Sequence, residues 1–310
     1  MKPYFTIGQN KKLFNVDCLL LLDWIFETGL KIDLFIFSPP YNLGKKRTRD
    51  DGQRKKGKYD ACSHGGPDYP DNFPESVWQA QLINVLKHCA SVLNINGSII
   101  CNMKPKRVDD PLSGDRVEQS TDEWLVPALS GDLFKHKKLI LDREDTHNHE
   151  PSLPYSTYEE ATIFKKSKSE PYYNNELAIS IDNTIKRFSD TKKFLEKNID
   201  YKNLDDPRIT KIFTNNRDII PFPPVRTKEP HHSAPFSLHF AREQIFRWCP
   251  QGGLVCDPYS GGGTTMLACC YEKRGFIGSE LVENSCKMTK ERILKEINDI
   301  EKNYNTIKTY

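Results

Sequence analysis

The 310-residue sequence predicts an α/β fold built on a mostly parallel, doubly wound sheet. Apolar segments of strand length alternate along the chain with segments whose apolar residues recur at helical spacing. A glycine-rich turn, Gly261 to Gly263, follows an apolar strand and opens a helix, which is typical of nucleotide-like cofactor sites in parallel sheets. A chain of this length has ample core for one large or two smaller domains.

The first hundred residues predict three strands and two helices. The strands are apolar runs, and the helices carry apolar side chains three and four positions apart. A turn at Asn96-Gly97 separates the second helix from the third strand. The predicted strands are 12–16, 32–37 and 98–102, and the predicted helices are 19–28 and 74–93.

The middle of the chain, from Lys104 to about Asn216, has a different composition. Prolines and charges are frequent there and aromatic residues lie among polar ones, so we expect a poor core and a surface suited to recognition. The elements expected within it are strands at 138–141 and 161–164 that close the sheet, the linking loop 142–158, and a helix at 186–200.

The last third returns to alternating strands and helices. Two apolar strands each end in a carboxylate, Asp257 and Glu280, and helical spacing resumes after each of them. The elements predicted here are a strand ending at 257, a helix at 264–271, a strand ending at 280, and a closing helix at 284–308.

The first motif that carries chemistry is Ser38-Pro39-Pro40-Tyr41, directly after an apolar strand. Proline fixes φ and has no N–H, so the Ser38 hydroxyl and the Ser38 and Pro39 carbonyls can face outward as acceptors. Tyr41 offers a face for stacking, and an aromatic amine, such as the exocyclic NH2 of a base, fits such a site. Alternatively the segment is a rigid turn or a polyproline-type docking segment, and taken alone it favours the turn.

The second motif is the turn from Asp257 to Thr265, in which the strand ends at an aspartate and three glycines precede the helix. Glycines allow a ligand to approach the backbone closely, and the helix start presents free N–H groups. No lysine follows the glycines, so the turn is not a phosphate-binding P-loop. Glu280, one strand later, is placed as a carboxylate that holds a ribose diol in such folds.

Together these motifs resemble amino-group DNA methyltransferases that use S-adenosylmethionine, in the permuted (beta-type) order with the catalytic motif before the cofactor motif. The resemblance implies four catalytic residues: Ser38, Pro39, Pro40 and Tyr41. It implies a cofactor loop made of Asp257, Pro258, Tyr259, Ser260, Gly261, Gly263, Thr264 and Thr265. Tyr259 replaces the usual Phe of that loop, a mild departure.

Three further cofactor contacts follow from the same resemblance. Glu280 matches the acid that binds the ribose, and Asp17, in the segment Asn15 to Leu19, matches an aspartate near the adenine. Phe236 lies in a segment, residues 232–238, similar to one that contacts the methionine end, although Ser237 replaces a common Pro.

The resemblance also implies the fold and its division. It predicts a Rossmann-like class I methyltransferase fold with an inserted target-recognition region. The predicted divisions are a catalytic half at 1–104, the target-recognition region with its sheet-closing strands at 105–216, and a cofactor-binding half at 217–310.

The implied activity is methyl transfer to the exocyclic N4 of a cytosine flipped out of double-stranded DNA, protecting DNA in a restriction-modification system. Ser38 favours cytosine N4 over adenine N6, for which Asp is the usual first motif residue, and Asn42 or Lys45 is expected to satisfy the cytosine O2 and N3. A catalytically silent DNA-binding module and a protein or RNA amide methyltransferase are the alternatives from other classes.

A basic segment, Lys45 to Lys58, follows the catalytic motif with eight Lys or Arg residues against two Asp. Its position favours contact with DNA phosphates over the alternative of a solvated surface loop. The residues expected to bind DNA are Lys45, Lys46, Arg47, Arg49, Lys55 and Lys56.

Composition sets limits on the remaining partners. The net charge of +3 does not by itself indicate a nucleic-acid partner. Nine cysteines without a C-x-x-C pair predict reduced core thiols, with neither disulfides nor a metal site. The sequence shows no signal peptide and no long apolar run, so we expect a cytoplasmic protein without membrane contact. A cognate restriction endonuclease and a homodimer complete the expected partners.

Overall fold

A computed structural model describes residues 1–42, 73–109, 113–114, 116–142, 158–174, 219–221 and 237–307. Within these ranges the chain forms one mixed nine-stranded sheet and a separate two-stranded hairpin. No helix in the described part of the chain is long and apolar enough to cross a membrane.

The elements are numbered in chain order. The strands are β1 (Phe5–Ile7), β2 (Lys11–Phe14), β3 (Ile32–Phe37), β4 (Leu93–Met103), β5 (Lys106–Asp109), β6 (Arg116–Gln119), β7 (Phe134–Asp142), β8 (Tyr158–Lys165), β9 (Ile219–Pro221), β10 (Leu254–Asp257) and β11 (Gly275–Ser279). The helices are α1 (Cys18–Glu27), α2 (Glu75–Val92), α3 (Thr121–Leu129), α4 (Leu238–Trp248), α5 (Thr264–Tyr271) and α6 (Glu283–Ile307).

The strand order of the large sheet is β1-β2-β11-β10-β3-β4-β8-β7-β9. Strands β2, β11, β10, β3 and β4 are mutually parallel, whereas β8 runs antiparallel to both of its neighbours. From β10 the chain continues to β11 on one side, and from β3 it continues to β4 on the other. The order therefore reverses between β10 and β3, the position where open α/β sheets bind ligands.

Two apolar layers cover the faces of this sheet. Leu22 of α1, Leu82 of α2 and Leu125 of α3 are buried in one layer. Ile245 of α4 and Leu267 of α5 are buried in the other, on the opposite face. Because every central strand is buried on both faces, its sequence is a continuous apolar run rather than an alternation.

The structure corrects two expectations. Strand β4 already begins at Leu93, so Asn96 and Gly97 lie within the strand rather than in a turn before it. The middle region also contributes more core than its composition predicts, because Leu125 and Leu129 of α3 are fully buried. The predicted loop 142–158 lies, apart from its two end residues, outside the described residues, as does the predicted helix 186–200.

Two contacts of Glu160 hold α3 against the sheet in addition to the apolar side chains of the helix. The carboxylate of Glu160 on β8 accepts hydrogen bonds from the Ser120 hydroxyl and from the Thr121 backbone N–H, at the first turn of the helix. Lys138 of β7 forms a 2.9 Å ion pair with the same carboxylate. A helix N-terminus stabilises a buried negative charge, so the Glu160 carboxylate and the first turn of α3 stabilise each other.

Candidate active site

The two sequence motifs meet where the strand order reverses. Strands β10 and β3 are parallel neighbours, with Cys256 paired to Phe35, so the segments that follow them leave the same edge of the sheet side by side. The rings of Phe37 and Tyr259, one from each strand end, have centroids 5.7 Å apart. Residues far apart in the sequence thus form one continuous site.

The Ser38–Tyr41 loop is held by hydrogen bonds within and around it. The Ser38 hydroxyl donates to the Tyr41 phenol oxygen at 2.9 Å, and the Tyr41 hydroxyl donates to the carboxylate of Glu159 at 3.4 Å. The indole N–H of Trp78 donates to the Pro40 carbonyl at 2.9 Å. The loop is therefore fixed while Ser38 and Tyr41 remain partly exposed.

Trp78 is buried in the core and also supports this loop. Its ring packs against Trp124 at 5.6 Å, and the Lys106 ammonium lies 3.7 Å from the ring centroid. Lys106 also pairs with Glu75 at 3.0 Å. A cation over an indole face is attracted to it, so the β5–β6 hairpin holds Trp78 under the loop.

Asn42 follows the loop in a left-handed backbone conformation, with φ of 52°. Its amide donates to the Phe73 carbonyl at 3.0 Å and accepts from the Phe73 N–H at 2.8 Å, and it also donates to Glu75. Asn42 therefore anchors the start of α2. These contacts do not support the expected role of Asn42 in reading a base, and Lys45 lies outside the described residues.

Asp257 organises the glycine-rich turn from the end of β10. Its carboxylate accepts from the Tyr259 N–H at 2.9 Å and from the Thr265 hydroxyl at 2.6 Å. Burial raises the pKa of Asp257 to about 7, and the nearby Glu280 charge acts in the same direction. A group that is half protonated near neutral pH responds strongly to any cation placed beside it.

Glu280 lies directly after β11 and contacts the same turn. One carboxylate oxygen accepts from the Gly261 N–H at 2.8 Å and the other from the Val282 N–H at 2.9 Å. Burial raises its pKa despite these bonds. An ionised carboxylate can accept about four hydrogen bonds, so Glu280 keeps acceptor capacity for a ligand.

The remaining predicted cofactor residues fall into three groups. Asp17 is exposed and caps α1 by accepting from the Leu19 N–H at 2.8 Å. Phe236 lies outside the described residues, as do all six predicted DNA-binding residues of the basic segment. In the turn itself Tyr259 and Gly261 are half-buried, and the buried residues are Pro258, Ser260, Gly263, Thr264 and Thr265.

Helix α6 supports the turn from behind, which sequence reasoning missed. The Thr289 hydroxyl donates to the Gly261 carbonyl at 2.9 Å, and Arg292 donates to the Gly262 carbonyl at 2.8 Å. Gly263 has φ of 72°, and a Cβ there would lie 2.3 Å from the Thr289 methyl group. Only the helical spacing of the tail was visible in the sequence, and it does not indicate which polar residues reach the turn.

The chemistry of the turn fits S-adenosylmethionine. This cofactor carries a sulfonium, an ammonium and a ribose diol, which require negative charge and hydrogen-bond acceptors. Asp257 and Glu280 are buried carboxyls whose pKa values are both raised by desolvation, so a cation placed beside them is favourable. The open acceptor positions of Glu280 suit a diol.

Comparisons with known proteins agree with this geometry. A 62-residue stretch is 34% identical to the orphan methyltransferase M.BamHII of Bacillus amyloliquefaciens, and covers 20% of this chain and 23% of that protein. The M1.HpyAVI–S-adenosylmethionine complex shares 16% identity at a TM-score of 0.55, covering 91% of this chain and 98% of that one. The cytosine-N4-specific PvuII DNA methyltransferase shares 14% identity at a TM-score of 0.62, covering 96% and 95%.

These likenesses confirm the predicted class I methyltransferase fold. Residues 32–291 match the sequence profile of the N6_N4_Mtase family of DNA methylases. Because the match spans well over half of the chain and includes both motifs, this protein belongs to that DNA methylase family.

Proposed function

We propose that the chain is a site-specific methyltransferase that acts on the exocyclic N4 of cytosine in double-stranded DNA. The observation that carries the proposal is the meeting of the Ser38–Tyr41 loop with the glycine-rich turn at adjacent ends of β3 and β10. Bound S-adenosylmethionine supplies a methyl group on a positively charged sulfur, which is already activated for transfer. The order of the two motifs is that of the permuted, beta-type enzymes.

In this proposal the turn and the residues around it hold the cofactor. Asp257 and Glu280 supply negative charge and acceptors, and Asp17 lies beyond the neighbouring end of β2, at the proposed adenine side. The other proposed cofactor residues are Phe236, Pro258, Tyr259, Ser260, Gly261, Gly263, Thr264 and Thr265.

The Ser38–Tyr41 loop acts on the target amine. A base stacked in a duplex hides its amino group, so the target nucleotide must be flipped out before it reaches the loop. Tyr41 then stacks on the ring, while the Ser38 hydroxyl oxygen and the Pro39 carbonyl accept the two N–H groups. Accepting these hydrogens draws them out of the ring plane and localises the nitrogen lone pair, and positioning supplies much of the remaining rate.

The choice of cytosine N4 rests on Ser38. A hydroxyl is a neutral group that accepts and donates, whereas the aspartate typical of adenine enzymes is a charged acceptor. Adenine N6 is the second candidate, and one contact favours it. Through Tyr41, the Glu159 carboxylate places a negative charge two hydrogen bonds away from Ser38.

Mass spectrometry of nucleosides decides between the two bases. DNA from cells that express the chain is expected to contain N4-methylcytosine, and cells that express a Ser38→Ala variant provide the matched control. N6-methyladenine without N4-methylcytosine would reassign the target base and leave the fold and cofactor unchanged. If neither methylated base is found although the protein is folded and loaded with cofactor, the methyltransferase proposal is refuted.

We also propose how the chain meets its DNA. The region 105–216 would read the target sequence between the catalytic half, 1–104, and the cofactor half, 217–310. The basic segment, with Lys45, Lys46, Arg47, Arg49, Lys55 and Lys56, would contact phosphates and so add affinity without sequence information. Protection of DNA against a cognate restriction endonuclease is the proposed biological role, and a homodimer is the proposed assembly.

The affinity for S-adenosylmethionine is expected to rise with pH up to about 7 and then to level off, because the pKa of Asp257 is about 7. A bound cation favours the ionised carboxylate, so below that pH each bound cofactor must displace one proton. The dissociation constant should therefore fall by about tenfold per pH unit on the acid side. Calorimetric titrations between pH 5.5 and 8.5, chosen to bracket about 7, measure this dependence.

Asp257→Asn is the control, and its affinity for the cofactor should be weak and independent of pH across the same range. The stability of the free protein should change in the opposite direction. The folded pKa lies above the ordinary value of 3.8, so the free energy of unfolding should fall as pH rises from about 4 to about 7. An unmodified protein whose cofactor affinity does not vary with pH would remove Asp257 from the binding site.

A further inference from the structure

Glu159 is a buried carboxylate at the candidate site that belongs to neither sequence motif. Its exposed fraction is 6%, and it is the second residue of β8. Because β8 runs antiparallel to β4, it starts at the edge of the sheet where β3 and β4 end. The strand direction thus places an acidic side chain of the middle region beside the Ser38–Tyr41 loop.

The next residue, Glu160, has a structural role and provides a comparison for Glu159. Glu160 pairs with Lys138 and caps the first turn of α3, on the opposite face of the sheet. Glu159 contacts the side chains of Asn102 at 2.8 Å and Tyr41 at 3.4 Å, both through the same carboxylate oxygen. One acid therefore joins α3 to the sheet, whereas the other reaches the loop that carries the proposed chemistry.

The hydrogen bonds from Glu159 fix the direction of the hydroxyl groups in the loop. An ionised carboxylate only accepts, so the Tyr41 hydroxyl must donate its single hydrogen to Glu159. The Tyr41 oxygen can then only accept from Ser38, and the Ser38 hydrogen points away from the solvent side of the loop. The Ser38 oxygen is left with its lone pairs available for an incoming N–H.

Asn102 holds the carboxylate in place for this purpose. Its side-chain N–H donates to the oxygen of Glu159 that also accepts from Tyr41. Asn102 is 1% exposed, and its own side-chain oxygen has no hydrogen-bond partner among the described residues. Asn102 therefore orients the Glu159 carboxylate toward the Tyr41 hydroxyl.

We propose that Glu159 is a positioning residue that acts through Tyr41 to make Ser38 an acceptor for the target amine and that receives the proton lost from it. The inference rests on the proposed function. In the transfer the nitrogen lone pair forms the new N–C bond, and the methyl–sulfur bond breaks with its electron pair left on sulfur. The amine proton passes to Ser38 as the Ser38 proton moves to Tyr41 and the Tyr41 proton moves to Glu159.

This step leaves both hydroxyl groups as they began and converts Glu159 from a carboxylate to a carboxylic acid. The Tyr41–Glu159 distance of 3.4 Å is long for a hydrogen bond. Such bonds commonly shorten when the substrate binds, so the distance is compatible with transfer in the complex.

A double-mutant cycle tests the inference. Tyr41→Phe keeps the stacking ring and removes the hydroxyl that joins Ser38 to Glu159. Glu159→Gln keeps the shape of the side chain and removes its negative charge. Each is expected to slow methyl transfer in a single turnover by about 100-fold, with unchanged affinities for the cofactor and for DNA. The double variant should be no slower than the slower single variant, because both changes break the same chain. Glu27→Gln, an exposed acid at the last residue of α1, is the matched control and should keep the full rate.

Two results would overturn the inference. A Glu159→Gln variant that transfers methyl at the unmodified rate shows that the carboxylate is not used. Losses that multiply in the double variant show that Glu159 acts on the fold and not through Tyr41. If Glu159→Gln lowers the melting temperature, the same cycle with Glu159→Asp, which keeps the charge, gives the same discrimination.

The experiment separates this inference from the proposed function. An unmodified, folded and cofactor-loaded chain that methylates neither cytosine nor adenine overturns both. An active chain whose variants keep their rate overturns only the role of Glu159. If the unmodified chain is active and the double variant is no slower than the slower single variant, the proposed function and the role of Glu159 are both supported, whichever of the two bases is methylated.

Discussion

Ser38→Ala is expected to slow methyl transfer by about 10²- to 10⁴-fold, the range that a well-placed proton acceptor contributes. The hydroxyl is the side-chain acceptor that the loop offers to the target amine, and alanine removes it without filling the space. Because Ser38 lies at the end of β3 and its hydroxyl bonds to Tyr41 rather than to the glycine-rich turn, the affinity for S-adenosylmethionine should stay within about twofold.

Single-turnover kinetics with saturating cofactor and calorimetry with S-adenosylmethionine measure the two quantities separately. Ser91→Ala provides the matched control, since Ser91 is exposed near the last residue of α2, at the opposite end of that helix from the residues that contact the loop. A variant whose rate falls only because the cofactor binds more weakly would place Ser38 in the cofactor site. A variant with an unchanged rate would remove it from the chemistry.

Gly263→Val is expected to abolish binding of S-adenosylmethionine. The backbone at Gly263 has φ of 72°, and a Cβ would lie 2.3 Å from the methyl group of Thr289, so valine adds both strain and overlap. Helix α6 must then move away from the turn, and the hydrogen bond from Thr289 to the Gly261 carbonyl is lost. We expect the dissociation constant to rise at least 100-fold, which corresponds to a loss of about 2.7 kcal/mol of binding free energy.

Gly252→Val is the control that adds backbone strain without steric overlap. Gly252 has φ of 73° and lies at the amino end of β10, away from the turn, and a Cβ added there would meet no atom within 4 Å among the described residues. It should cost about 1–2 kcal/mol of stability and leave cofactor affinity unchanged. Pairing Gly263→Ala with Thr289→Ser, which removes the clashing methyl, should recover part of the affinity lost in Gly263→Ala alone. Full cofactor affinity in Gly263→Val would show that the turn does not form the site.

The local elements were predicted well where the sequence has a strong pattern. Strands β3, β10 and β11 and helices α1, α2 and α5 lie close to their predicted positions, because each is an apolar run or an amphipathic stretch bounded by glycine, proline or a polar cap. Helix α3 escaped prediction because it contains Pro127 and depends on Glu160 to stabilise its first turn. A contact supplied by a residue 39 positions away leaves no local signal.

The partners of the site residues were harder to predict than the residues themselves. Asn42 was expected to contact the target base, whereas in the structure it holds the start of α2, and Trp78 supports the Ser38–Tyr41 loop from the core. Two consecutive acids at 159 and 160, next to a predicted strand, were the available signal for Glu159. Acids on opposite faces of a buried strand each need a specific partner, so such a pair marks positions worth testing.

The amino-acid sequence was sufficient to identify the two motifs, the family they resemble and the alternation of strands and helices, because these depend on residue type, spacing and backbone preference within short segments. Three features required the folded chain: the meeting of the two motifs at the reversal of strand order, the support of the glycine-rich turn by α6, and the contact of Glu159 with Tyr41. Such contacts depend on strand order and register, which are set by how the whole chain buries its apolar surface and not by any one segment.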